Sequence, residues 1–343
     1  MARVLISIIS EHLIPNYHLF IHLKSSIDKH LFITTKNMED AGYTGFLKTL
    51  IGDEKNTENI YLDDFRDFKK ITKNLRDSNK VNPSDKFIVN ITGGTKVISL
   101  AVFNHFKELD SEIYYVAIGT NSCQKIFPEQ TPPETFTHKL TLDEYLSLYG
   151  FSIEKSNTLT KKPEFTNSLF AKVKSKDFNS LSVTEIRDAF YKSFTKTAPK
   201  DSVYYTGLWF EEYMYSLIKD KLKLNNSQIA LNVKVKRHTS KTNQGNDNEF
   251  DVMYVTNNKL YVVECKSSIG KKNEHKKNLE NFLYKLAAEI KDMGLQVTPI
   301  LAVTGYPENH KSIIKRADIL RIHLVGAEKF NNPILFNTFI QLI

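Results

Sequence analysis

Apolar runs and their spacing divide the chain into two differently patterned parts. In the first, short apolar runs at Arg3 to Ile9, His30 to Thr35, Asn59 to Leu62, Phe87 to Ile91 and Ile113 to Ile118 read as strands. Helical stretches separate them: one from about Asn16, then Met38 to Leu50, the charged Asp64 to Leu75, and Thr95 to Leu109. This βαβα order predicts a parallel sheet with helices on both faces. Cys123 to Leu140 reads as an edge hairpin interrupted by Pro128, Pro132 and Pro133, and Leu142 to Tyr149 as a short helix stopped by Gly150. From Phe151 to Pro199 the pattern is polar and lysine-rich, with one helix at Val183 to Phe194, a small helical spacer or a degenerate winged-helix element.

The second part opens on an amphipathic helix from Gly207 to Ile218, with Phe210, Tyr213, Met214, Leu217 and Ile218 as its stripe. Two runs rich in Val and Tyr follow, Phe250 to Val255 and Leu260 to Glu264, around Thr256-Asn257-Asn258-Lys259. Asparagine tolerates positive φ, so Asn257-Asn258 predicts a two-residue type I′ turn and a hairpin. A helix at about Asn278 to Met293, a strand at Pro299 to Val303, a helix at His310 to Ile314 and a strand at Ile319 to Val325 close this part. The expected domains are residues 1–150 and 201–343, with 151–200 between them.

The hairpin carries the sharpest chemistry. A two-residue loop makes paired positions sum to 515, which sets Asp251 across from Glu264 and Glu249 across from Lys266. Period-two alternation puts all four on one face. Opposed Cβ atoms lie about 4.5–5.5 Å apart, and two carboxylates that close repel unless a cation or proton stands between them. A hard divalent ion suits oxygen ligands, and the neighbouring lysine can stabilise charge on a phosphate under attack. Both faces of the hairpin are otherwise apolar, which predicts a central, buried pair of strands. On the preceding helix, at 100° per residue, Glu211 lies about 90° from the stripe centre and Glu212 about 170° away. Glu211 is thus expected at the border of the buried face and Glu212 in water.

Composition narrows the field. The net charge of +8 and pI of about 9.1 favour partners carrying negative charge, nucleic acid first. Only Cys123 and Cys265 occur, read as reduced thiols of a cytoplasmic protein, and no Cys/His zinc spacing is present. No run approaches the ~18 apolar residues of a membrane span, and the apolar start enters a strand, so it is not read as a signal peptide. Gly270 to Lys277 is basic, suited to substrate phosphates or to a solvated helix start.

Two strand-to-helix turns stand at the edge where parallel sheets bind ligands. They are Ser7 to Asn16 and Asn90-Ile91-Thr92-Gly93-Gly94-Thr95-Lys96. Paired glycines let the backbone approach a ligand, the following helix start attracts phosphate, and Thr95 can cap that helix. Walker spacing is missing, so this is not a P-loop.

Asp251, then Glu264 and Lys266, with Glu211 on an upstream helix beside Trp209, resemble the PD-(D/E)xK nuclease superfamily, though its proline is absent. The Gly93-Gly94-Thr95-Lys96 string and Ile14-Pro15-Asn16 resemble the CARF domain, the Rossmann-like sensor of CRISPR systems, in a branch fused to such a nuclease. Glu11-His12 stands where many of its members carry a Gln-containing turn. The resemblance implies an N-terminal Rossmann-like α/β sensor with a parallel sheet and a C-terminal restriction-endonuclease-like α/β domain. It implies a cyclic oligoadenylate, above all cyclic tetra-adenylate, bound at Ser10, Ile14, Pro15, Asn16, Thr92, Gly93, Gly94, Thr95 and Lys96 of a homodimer. It implies Mg²⁺ or Mn²⁺ held at Glu211, Asp251, Glu264 and Cys265, with Lys266 assisting the cleavage of single-stranded DNA, RNA or supercoiled duplex DNA. Two other classes stay open: a CARF-type regulator that binds nucleic acid without cutting it, and a restriction- or repair-like nuclease with no small-molecule ligand.

Overall fold

The computed structural model describes residues 1–52, 56–157, 163–175, 204–238, 248–267 and 274–342, together with Glu185 and Asp188. Most of the expected helix at Val183 to Phe194, and Gly270 to Asn273 of the basic segment, lie outside the described residues. The chain forms two compact units, one built on Met1–Ser152 and the other on Ile153–Val235 with Asp247–Ile343. Both are α/β, as the pattern of apolar runs predicts.

In the first unit, strands β1 (Arg3–Ile8), β2 (Lys29–Thr35), β3 (Asn56–Leu62), β4 (Lys86–Asn90) and β5 (Ser111–Tyr115) are parallel in the order 3-2-1-4-5. An antiparallel hairpin of β6 (Ser122–Phe127) and β7 (Glu134–Thr135) extends the edge beside β5. Even-numbered positions of β1 (Val4, Ile6, Ile8) join one core with Ile71 and Leu75 of α4 (Phe68–Asp77) and Ile98, Val102 and Phe106 of α5 (Lys96–Phe106). On the opposite face His30 donates to or accepts from Ser7 at 2.9 Å and stacks on Phe20 of α1 (Ile14–Leu23). The expected helix at Met38 to Leu50 is two, α2 (Lys36–Asp40) and α3 (Tyr43–Ile51), because Gly42 between them is left-handed at φ 84°. Helix α6 (Leu142–Leu148) follows a Thr141/Glu144 capping box.

The second unit holds a six-stranded sheet in the order β13-β12-β11-β10-β9-β8. Its first strand, β8 (Phe151–Asn157), falls within the stretch read from sequence as spacer, and β9 (Ile229–Arg237) has no counterpart in the sequence reading. Strands β10 (Asn248–Thr256) and β11 (Lys259–Lys266) form the hairpin at the centre of the sheet. Every recorded pair, from Val252–Val263 to Thr256–Lys259, sums to 515, and Asn257 and Asn258 have φ of 49° and 62°. Parallel strands β12 (Val297–Val303) and β13 (His323–Val325) lie beyond. The intervening helix runs on to Leu320, which shortens the last strand from the expected Ile319–Val325.

Trp209, Phe210, Met214 and Ile218 of α8 (Trp209–Leu222) pack on one face of the hairpin with Val252, Tyr254, Tyr261 and Val263. Helix α7 (Pro163–Ser175) adds Phe170, stacked on Tyr213 with ring centroids 3.8 Å apart. Helix α9 (His275–Glu289) buries Leu279, Leu283 and Leu286, and its Phe282 ring lies 5.5 Å from the Lys266 ammonium.

Candidate functional site

Two strand ends carry unusual polar chemistry, one in each unit. In the first unit the strand order reverses direction between β1 and β4, which makes their carboxyl ends the switch point where open parallel sheets bind ligands. Both turns singled out in the sequence meet there. Three side chains tie them together. Asn16 donates to the Ile8 carbonyl at 2.9 Å, and Asn90 donates to Asn16 Oδ1 at 2.7 Å. The Thr92 hydroxyl and amide donate to Asn90 Oδ1 at 2.6 and 3.1 Å. Thr92 Oγ1 in turn accepts from the Val116 amide at 2.7 Å. The strand ends are thus cross-linked by neutral groups whose polar atoms find partners within the protein.

Of the residues expected at this edge, Ile14, Pro15 and Asn16 are buried, so they stand behind the surface. Gly94, Thr95 and Lys96 are exposed, and Ser10 and Thr92 are half-buried. Thr95 caps α5 by accepting from the Ile98 amide at 3.3 Å. The glycines have a packing reason of their own. A Cβ on Gly93 would lie 2.2 Å from the Ile8 carbonyl oxygen, and one on Gly94, at φ 75°, would meet the Ile8 side chain at 2.6 Å. Only glycine lets this turn fold onto the end of β1. His12 from the other turn is buried, which lowers its pKa to about 4, and its Nδ1 meets the Tyr149 hydroxyl at 2.5 Å.

In the second unit the hairpin register brings Asp251, Glu264 and Lys266 together as expected. Lys266 Nζ stands 2.5 Å from Glu264 Oε1 and 3.9 Å from Asp251 Oδ2. The ammonium therefore occupies part of the gap that carboxylate repulsion leaves for a cation. Asp251 Oδ2 also accepts from the Cys265 amide at 2.6 Å. The Cys265 side chain belongs to the opposite, apolar core. Glu211 reaches the cluster from the first turn of α8, and Asn232 of β9 donates to its Oε2 at 2.7 Å. The sequence reading of its neighbour fails: Glu212 is buried and accepts from the Tyr204 hydroxyl at 2.9 Å.

The electrostatics are those of crowded acids. Burial, followed by Glu264 and Glu211, pushes Asp251 up to about 8. Burial also raises Glu211, opposed by the Asn232 hydrogen bond and Lys266 and reinforced by Glu264 and Glu249. For Lys266 burial works downward, but Asp251 and Glu264 outweigh it and hold the ammonium charged. Three carboxylates share one lysine here, and hard oxygen donors in excess negative charge fit a divalent cation of the Mg²⁺ or Mn²⁺ type.

Two residues of this neighbourhood escaped the sequence reading. Asn232 sits inside a strand at φ 50°, a conformation strands avoid, and it aims its amide at Glu211. Glu289, from the last turn of α9, feels the Glu264 charge, pairs with Lys285 at 3.7 Å, and keeps Oε2 buried without a hydrogen-bond partner.

Comparison with known proteins bears on both strand ends. A family model of the Card1 CARF domain matches residues 4–145, and one of the Card1-like endonuclease domain matches residues 200–334. Among solved structures, protein VC1899 from Vibrio cholerae is 16% identical with a TM-score of 0.80, over 99% of this chain and 97% of that one. Can2 from Sulfobacillus thermosulfidooxidans, in complex with cyclic tetra-adenylate, is 20% identical with a TM-score of 0.75, over 98% and 99%. A type III CRISPR defence DNA nuclease activated by cyclic oligoadenylate is 14% identical with a TM-score of 0.60, over 88% of this chain and 45% of that one. At these identities the structural likeness is one of fold. No curated protein matches.

Proposed function

The chain belongs to the Card1 family, with a CARF domain joined to a Card1-like endonuclease domain, and on that premise we propose that it is a metal-dependent nuclease of type III CRISPR defence switched on by a cyclic oligoadenylate. The observation that carries the reading is the gathering of Glu211, Asp251 and Glu264 around Lys266 at the end of a central hairpin. Asp251, Glu264 and Glu211, with the Cys265 backbone beside them, would hold Mg²⁺ or Mn²⁺. When bound, such an ion supplies Lewis acidity to the scissile phosphodiester and acidifies water. Lys266 stabilises charge on the phosphate as it is attacked, and its two carboxylate neighbours keep it protonated for that role. Asn232 orients Glu211.

The activator of this reading is cyclic tetra-adenylate, the ligand bound by Can2. Its phosphates would meet the exposed Gly94, Thr95 and Lys96 at the start of α5. Ser10 and Thr92 flank that surface, while Asn16 acts from behind it through Asn90. This reading includes a homodimer with the ligand on its two-fold axis, closed two-fold dimers being the commonest assembly. Ligand binding activates only by the difference in its affinity for the resting and active states. The substrates are single-stranded DNA, RNA or supercoiled duplex DNA, held through phosphates with little sequence preference. No helix among the described residues is long and apolar enough to cross a membrane, and the cytoplasm is the proposed place of action.

The test is cleavage of the three labelled substrates with Mn²⁺, with and without cyclic tetra-adenylate, beside Glu264→Ala. The expected result is cutting only with the cyclic ligand, lost in the variant. Cutting without ligand would replace this reading with an unregulated nuclease. Tight ligand binding with no cutting of any substrate would replace it with a non-catalytic regulator.

A further inference from the structure

Among the described residues, one group brings three metal-ligating atoms within 4.8 Å of one another, and it lies in the CARF domain: His22, Cys123 and Glu134. Three separate elements supply them. His22 comes from the last turn of α1, and β6 and β7 set Cys123 directly across from Glu134. Opposed strand positions hold Cβ atoms about 4.5–5.5 Å apart, so the thiol–carboxylate approach is fixed by register. The third corner is held by packing: Phe136, just after β7, meets the His22 ring edge-on at a 5.6 Å centroid distance. His22 Nε2 then faces Glu134 Oε2 at 3.4 Å.

We propose that His22, Cys123 and Glu134 form a Zn²⁺ site of the CARF domain, chemically distinct from the all-oxygen cluster of the endonuclease domain. One imidazole, one thiol and one carboxylate are a mixed set that suits zinc, whereas Mg²⁺ takes oxygen alone. Three protein ligands leave the fourth tetrahedral position to water, on the side where His22 and Glu134 are exposed. Burial, followed by the Glu134 charge, pushes the Cys123 thiol up to about 11, so it stays protonated at neutral pH when no ion is present. Zinc binding forms the Zn–S bond and breaks the S–H bond, and the proton leaves to solvent. The ion would clip the β6–β7 hairpin to the far end of α1, the helix whose first turn carries Asn16 of the switch-point network.

Co²⁺ titration of chelator-stripped full-length protein tests this, because a thiolate ligand gives a charge-transfer band that oxygen ligands do not. An Asp251→Asn/Glu264→Gln background removes competition from the nuclease cluster. The expected result is a band that saturates at one Co²⁺ per chain and is displaced by Zn²⁺. It should persist in Cys265→Ala, vanish in Cys123→Ser, and need at least about tenfold more metal in His22→Ala and Glu134→Gln. Circular dichroism of each variant separates lost ligation from lost folding. His22→Gln, conservative in size and on an exposed position, supplies a second probe should Cys123→Ser unfold. No thiolate band in the parent protein, or a band that follows Cys265 instead of Cys123, overturns the proposal.

Discussion

The two strand ends solve the problem of buried polarity in opposite ways. At the CARF switch point, Asn16, Asn90 and Thr92 are neutral and satisfy one another and the backbone. At the hairpin end, three carboxylates crowd one lysine, and Asp251 is driven up to about 8 by burial and by its neighbours. The first arrangement is stable by itself and stiffens a surface. The second is left with charge that a cation or a proton must compensate. A structural network and a chemical centre are thus told apart by whether their parts satisfy one another.

That contrast predicts opposite effects of similar changes. Asp251→Asn should lower cleavage by on the order of 10³-fold while raising the stability of the metal-free protein by about 1–2 kcal/mol, since it replaces a carboxyl that folding must protonate with a group that is neutral in both states. Cleavage rates and urea unfolding of the same preparation check both signs, and a destabilised variant would break the comparison. Asn90→Ala should do the reverse at the other end. It strands Asn16 and Thr92, and a loss of about 2–4 kcal/mol is expected in the same unfolding experiment.

On the proposed reading a bound cation would compete with a proton at the hairpin end. The folded-state pKa of Asp251 lies above its ordinary value, so without metal the folded form binds a proton that the unfolded form has already released. The contribution of Asp251 to stability is therefore complete at acid pH and fades as pH rises toward about 8. The proposed metal affinity would run the other way. Mn²⁺ binding should tighten by about tenfold per pH unit below 8 and level off above it, which calorimetry can follow. The smallest effect belongs to Asn232→Gly. It keeps the left-handed backbone and deletes the amide, so Mn²⁺ affinity should fall by about tenfold with unfolding unchanged within about 1 kcal/mol.

What could be read from sequence follows from how local each signal is. Asn257-Asn258 and the alternation around it are contiguous, so they fixed the hairpin register and with it the meeting of Asp251, Glu264 and Lys266. Gly93-Gly94 was legible as a turn, but its reason was not, because the clash that excludes a side chain comes from Ile8 on another strand. Glu212 was misassigned because the helical stripe was centred on its apolar residues alone. Helix α7 covers a second side of α8 through Phe170, and Tyr204 supplies a hydroxyl to a carboxylate that therefore has no need of water. Strand β9 alternates Leu231, Val233 and Val235 with Asn232, Lys234 and Lys236, a half-buried strand pattern, but nothing in that pattern shows that Asn232 reaches the acidic cluster. His22, Cys123 and Glu134 lie on three elements, and nothing in their spacing announces a site that only tertiary structure assembles.

The two-residue turn at Asn257-Asn258 has a consequence for mutational fragility. Asn257 stands six residues from Asp251, roughly 20 Å along the strand, and the turn carries none of the chemistry. Yet one inserted or deleted residue there would shift the pairing by one and turn the carboxylate of one strand away from that of the other. A reading-frame-preserving indel in a turn far from any site is ordinarily among the better tolerated of genetic lesions. On the proposed reading, in this hairpin it would abolish cleavage as losing Glu264 would, without altering a single residue of the site.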